Sequence, residues 1–218
     1  MTERPQPKGF DPDCRRCPRL ARYLAQTRKQ WPDYWARPVP SFGAAEPRLI
    51  IVGLAPGLHG ANRTGRPFTG DHAGILLYET LHAFGLASQP ASRSADDPLV
   101  LRGARIVNAV KCVPPENRPQ PEEIRRCNGY LARELEQLSG VRVYLALGRI
   151  AHDALLMARG LPRPRYPFAH ARVHALGQQY LLDSYHCSRY NTSTRRLTPD
   201  MFRAVVGEAC RLAGLAFP

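Results

Sequence analysis

The run Leu49-Ile50-Ile51-Val52 leads directly into Gly53-Leu54-Ala55-Pro56-Gly57, and that junction constrains the fold more than any other part of the chain. Four consecutive aliphatic side chains have no polar face, so they predict a strand buried on both sides, and the glycines after it predict a tight turn. Such a strand belongs in a parallel sheet covered by helices. The pattern that follows alternates accordingly. Asp71 is placed to cap a helix carrying Ile75, Leu76, Leu81 and Phe84, which Gly85 closes. Residues 105–110 predict a second strand, and 122–138 a long helix with Ile124, Cys127, Leu131, Leu135 and Leu138 inward. Residues 141–147 predict a third strand ending at Gly148, 149–157 a helix, 180–185 the last core strand and 199–212 the terminal helix.

Strands alternating with helices predict an α/β chain with a mostly parallel sheet between helical layers. One domain spanning 1–218 is expected. A first helix carries Leu20, Tyr23 and Leu24, residues 31–46 read as a loop rich in tryptophan and proline, and 1–13 as a loosely ordered leader. In open parallel sheets ligands gather beyond the carboxyl ends of the strands. That rule brings Gly53 to Gly57, Asn108, Gly148 and His186 to one rim.

Charge narrows the partner. The 31 lysines and arginines outnumber the 18 acids to give a net charge of +13, a footprint suited to a phosphate backbone. With 44% hydrophobic residues the chain has material for a core, which excludes disorder throughout. No run approaches the ~18 apolar residues of a membrane span, and no secretory signal opens the chain. A soluble, cytoplasmic monomer without a membrane partner is expected.

Several segments carry chemistry. The turn from Gly53 to Gly60 resembles neither a Walker loop nor a dinucleotide fingerprint, although its glycines could bring backbone N–H groups near an anion. Thr64 to Asp71 bunches Arg66, Phe68 and Asp71 between glycines, where Phe68 offers a flat face and Asp71 either caps a helix or serves a site. Asn108 offers a donor and an acceptor at a strand end, and His186 can stabilise charge on an oxygen. Of six cysteines, Cys14 and Cys17 form a C-x2-C pair and Cys112 and Cys127 a looser one. Thiolates so spaced suit zinc or an iron–sulfur cluster, and four unrelated buried cysteines are the bland alternative.

Taken in order, these segments resemble the uracil-DNA glycosylase superfamily, and within it the broad-specificity family 5 enzymes. The resemblance rests on Gly53-Leu54-Ala55-Pro56-Gly57 with Gly60, Thr64-Gly65-Arg66, Phe68 and Gly70-Asp71, then on the stretch from Asn108 to Arg118. It closes on His186-Cys187-Ser188-Arg189-Tyr190-Asn191-Thr192, where Cys187 stands in place of a common proline. It implies a four-stranded parallel sheet and a structural [4Fe-4S] cluster on Cys14, Cys17, Cys112 and Cys127. The implied reaction is hydrolysis of the N-glycosidic bond of uracil in DNA, with leeway for hypoxanthine and other damaged bases, leaving an abasic site.

By the same resemblance, Gly53, Leu54, Ala55, Gly57, Phe68, Asn108 and His186 hold the flipped base. Arg66, Ser188, Arg189, Tyr190 and Asn191 are expected on DNA, double-stranded or single-stranded, with weaker expectations for Arg163 and Arg165. Related families carry a polar residue just after the first glycine, where this chain has Leu54 and Ala55. Neither can activate water, which leaves Asp71 as the nearest carboxylate, with His186 and Asn108 completing the catalytic set. The rival readings are a non-catalytic, metal-stabilised nucleic-acid binding module and a nucleotide hydrolase.

Overall fold

A computed structural model describes residues 9–215. Its elements, in chain order, are α1 (Pro18–Gln30), β1 (Phe42–Gly43), β2 (Leu49–Gly53), α2 (Ala61–Thr64), α3 (His72–Ala83), β3 (Ala104–Asn108), α4 (Pro121–Gln137), β4 (Val143–Leu147), α5 (Arg149–Ala158), β5 (Val173–Leu176), β6 (Gln179–Ser184), α6 (Arg189–Ser193) and α7 (Pro199–Ala213). Short 3-10 turns at Pro115–Asn117 and Arg163–Arg165 lie between them.

The sheet has six strands in the order β1-β3-β2-β4-β6-β5. The four central strands run parallel, as the aliphatic runs predict. The two edge strands are antiparallel additions absent from the four-stranded expectation. β1 is only two residues long inside the tryptophan- and proline-rich loop, and β5 has a half-exposed pattern, so neither carries the continuous apolar signal of a central strand.

Every residue of β2, β3 and β4 is buried. Leu49, Ile51, Val143 and Leu145 face α3 and α7, while Ile50, Val52, Tyr144 and Ala146 face α4 and α5. Each fully buried aliphatic side chain contributes about 1.5–3 kcal/mol, which makes this three-layer sandwich the platform for the rim. Helix starts are encoded locally. α4 begins with Pro121 behind a Gln120–Glu123 capping box, and α7 with Pro199 behind Thr198, whose hydroxyl accepts the Met201 N–H.

Two expectations are corrected. Ile75 is 54% exposed, and the inward face of α3 is instead Leu77, Tyr78 and Leu81. Of the leader, residues 1–8 lie outside the described residues, whereas Phe10 packs edge-on against Tyr130 and Asp13 pairs with Arg37. No helix among the described residues is long and apolar enough to cross a membrane.

Candidate active site and metal centre

The parallel ladder sets the rim. Gly53 pairs in register with Asn108, and beyond the strands the ladder continues as Ala109 N–H to Gly53 O and Val110 N–H to Leu54 O, both at 2.9 Å. The first turn is therefore tied to the end of β3. At Gly53, an added Cβ would lie 2.5 Å from Asn108 Oδ1 and 2.7 Å from the Phe68 ring. At Gly57 it would lie 2.6 Å from Asp71 Oδ1, and at Gly60 it would overlap the Asp71 carboxylate outright. The glycines thus leave room for three side chains, which is a different use from the phosphate cradle that the turn alone suggested.

Asn108 is 2% exposed, and its Oδ1 has no hydrogen-bond partner. An orphaned buried carboxamide oxygen is costly unless a ligand supplies a donor. Phe68 is buried, and its ring lies 5.9 Å from that of His186 at 27°. Its backbone sits in the left-handed region at φ +56, a strained state for a bulky residue. Tyr78 Oη donates to Pro67 O at 2.8 Å, and Gly74 has no side chain where Phe68 O passes.

Asp71 stands at the N-cap of α3 without donating or accepting a side-chain capping bond there. Its Oδ2 instead accepts the Ala61 N–H at 3.2 Å. Burial raises its pKa above the usual carboxylate range, against the pull of Ala61 and Arg63. Burial also drives His186 down to about 4, so its imidazole is neutral at pH 7. The arrangement brings together a carboxyl group of raised pKa, a neutral imidazole, an unsatisfied carboxamide and a flat ring.

The segment after His186 divides by role. Asn191 Nδ2 donates to His186 O at 2.8 Å and so holds the histidine's backbone, while Ser188 Oγ accepts the Asn191 N–H and caps α6. Arg189 and Tyr190 are exposed, Tyr190 to 71%. Arg163 and Arg165 are exposed on their 3-10 turn, and Arg163 faces Asp153 at 3.8 Å. Arg66 is the correction among the DNA contacts. It is 4% exposed, pairs with Asp97, donates to Ser92 Oγ and Ala95 O, and lies over the Phe42 ring at 4.4 Å. Its guanidinium fastens the 92–97 loop to the Phe68 segment and does not reach a phosphate.

Cys14, Cys17, Cys112 and Cys127 line one small cavity with Leu20, Val110 and Tyr130, between the start of α1, the end of the β3 loop and α4. Burial pushes the Cys112 and Cys127 thiols up, and the neighbouring cysteines push further, so the four act on one another. Lys111 N–H points at Cys127 Sγ at 3.3 Å. All four thiols open onto this one cavity, a donor set that zinc or an iron–sulfur cluster takes. Cys187 and Cys210 are fully buried in the core instead.

What the sequence did not reveal is the work of Gly57 and Gly60, whose bare Cα atoms admit Asp71, and of Asn191, whose side chain holds His186. The close glycine spacing was visible, but its occupant was not.

The Uracil DNA glycosylase superfamily model matches residues 40–209, which spans every rim segment described above. The chain is 52% identical over 208 residues to the Type-5 uracil-DNA glycosylase of Thermus thermophilus, covering 93% of this chain and 94% of that one. It is 44% identical over 213 residues to that of Mycobacterium tuberculosis, covering 93% and 79%. The identity to the Type-5 enzyme of Pyrobaculum aerophilum is 40% over 207 residues, covering 93% and 90%. A chain matched over most of its length by both a family model and such relatives belongs to the uracil DNA glycosylase superfamily.

Proposed function

We propose that this protein is a monofunctional uracil-DNA glycosylase that hydrolyses the N-glycosidic bond of uracil in DNA and leaves an abasic site. The carrying observation is the convergence of Asp71, Asn108, Phe68 and His186 on the glycine turn after β2, in a chain whose relatives bear that name. A base inside the duplex is out of reach, so the nucleotide must be flipped, which costs a few kcal/mol and is easiest at a mispair. The net charge of +13 draws the backbone, with Arg189 and Tyr190 the exposed residues beside the site.

Flipped uracil stacks on Phe68, and its imide N–H supplies the donor that Asn108 Oδ1 lacks. As the C1′–N bond breaks, charge on the sugar becomes positive and charge on the base negative. Neutral His186 donates an N–H toward the base oxygen, and the half-buried Asp71 carboxylate orients water and stabilises the oxocarbenium-like sugar. Water attacks C1′, its proton passing to Asp71, and the base leaves as the anion. Hypoxanthine, which also presents an N–H beside a carbonyl, is a second substrate of the same pocket.

Cys14, Cys17, Cys112 and Cys127 would hold the [4Fe-4S] cluster, whose part is to join α1, the β3 loop and α4. Incubation with duplex DNA containing one uracil, followed by alkali, tests the activity. Breakage at that position only after alkali is the expected result, and DNA binding without release would replace it with a binding module. Four iron atoms per chain test the cluster, against stoichiometric zinc and no iron.

A further inference from the structure

Away from the glycine turn, His152 of α5, His174 of β5 and Asp183 of β6 form a buried cluster whose ligand atoms all lie within 4.8 Å of one another. Asp183 is 0% exposed and shares the α5 face of β6 with Leu181, an apolar layer in which a carboxylate needs compensation. His152 Nε2 lies 2.8 Å from Tyr166 O, and a carbonyl only accepts, so that nitrogen carries a hydrogen. A neutral His152 then turns its Nδ1 lone pair toward Asp183 Oδ1, 2.6 Å away, which is itself an acceptor. Two acceptors that close require a cation between them.

A proton fills that need only in part. His174 Nε2 lies 3.4 Å from Asp183 Oδ2, is buried and has no hydrogen-bond partner. A proton shared by His152 and Asp183 satisfies that contact alone, and His174 Nε2 makes no hydrogen bond to the carboxylate 3.4 Å away, whereas a metal ion takes a lone pair from all three residues. The surroundings are those of a metal-binding histidine: the other ring nitrogen of His152 donates to a backbone carbonyl, and the Ala169 N–H donates to Asp183 Oδ2 at 3.3 Å. Two imidazoles and one carboxylate suit zinc or a related divalent ion, with water as the fourth ligand.

We infer that His152, His174 and Asp183 form a second metal site, a nitrogen- and oxygen-liganded zinc site separate from the cysteine quartet, that fastens β5 and the 166–172 loop to α5 and β6. The ion binds to protein groups alone, and no step of base release passes through it.

The test uses protein with its iron already counted. Equilibrium dialysis against zinc, with metal analysis, should retain one zinc per chain without loss of iron. His174→Gln should weaken that uptake at least about tenfold, as loss of a supporting group already costs that much. Cobalt substitution supplies the second reading: a spectrum without thiolate-to-metal charge transfer is expected, whereas thiolate bands would place the ion at the cysteines and overturn the site. Equal zinc retention by wild type and His174→Gln, or none by either, would also overturn it and leave a buried imidazolium–carboxylate pair. Should His174→Gln fold poorly, the cobalt spectrum of the wild type decides alone.

Discussion

Asp71 occupies the N-cap of α3 but gives its carboxylate to Ala61, whose backbone N–H it accepts at 3.2 Å. Gly60 makes this possible, because any side chain there would overlap the carboxylate. Gly60→Ala should therefore lower single-turnover uracil release by about 10²-fold, the lower range for a lost general base. An unchanged rate in a folded Gly60→Ala protein would show that Asp71 has no fixed part in the reaction.

Asp71 should also trade stability for activity. Its folded pKa is raised, so its favourable contribution exists only while it is protonated and is lost as pH rises through that value. At pH 7 the buried charge opposes folding. Asp71→Asn should melt higher than wild type, by about 2–4 °C for each kcal/mol regained in a chain of this size. Wild-type activity should in turn fall on acidification through a pKa above that of an ordinary carboxylate, as read from a pH–rate profile.

His186 has the opposite sign. Its pKa falls from 6.5 to about 4 on folding, so the unfolded chain takes up a proton that the folded one refuses. Stability should decline as pH drops from about 6.5 to about 4, and His186→Gln should flatten that part of a denaturation series. An identical pH dependence in the two proteins would show that His186 does not titrate as a buried neutral ring.

Arg66 and Arg189 should separate structure from DNA binding. Breaking the buried Arg66–Asp97 pair with Arg66→Ala should cost about 3 kcal/mol in chemical denaturation. In protein that remains folded, it should leave the salt dependence of DNA affinity unchanged. Arg189→Ala should keep stability within about 0.5 kcal/mol and reduce the slope of log K against log salt by about one.

Cys112→Ser should deplete iron and lower the melting temperature, because the quartet joins segments far apart in sequence. Full iron content in that variant would exclude Cys112 as a ligand.

The central sheet was legible because β2 and β4 are apolar without interruption, and a run such as Leu49 to Val52 leaves little choice, while β3 keeps Ala104, Ile106 and Val107 between its polar residues. β1 and β5 were not, since two residues carry no period and Val173 to Leu176 alternates weakly. At the site, residue types pointed to Asp71, Asn108, Phe68 and His186 through the resemblance of their motifs. Arg66 lies in one of those motifs and still turned inward, because its partner Asp97 is 31 residues away and nothing local announces the pair. His152, His174 and Asp183 likewise come from separate elements, a juxtaposition that only the sheet order creates.

The most direct test of the account is single-turnover release of uracil from a duplex carrying one G·U pair, comparing wild type with Asp71→Asn. Release by the wild type is expected, with strand breakage only after alkali, and a loss of about 10²-fold or more in the variant. Release by Asp71→Asn within about threefold of wild type, well short of that minimum, would contradict the role given to the carboxylate. No release by iron-replete wild-type protein would contradict the function itself.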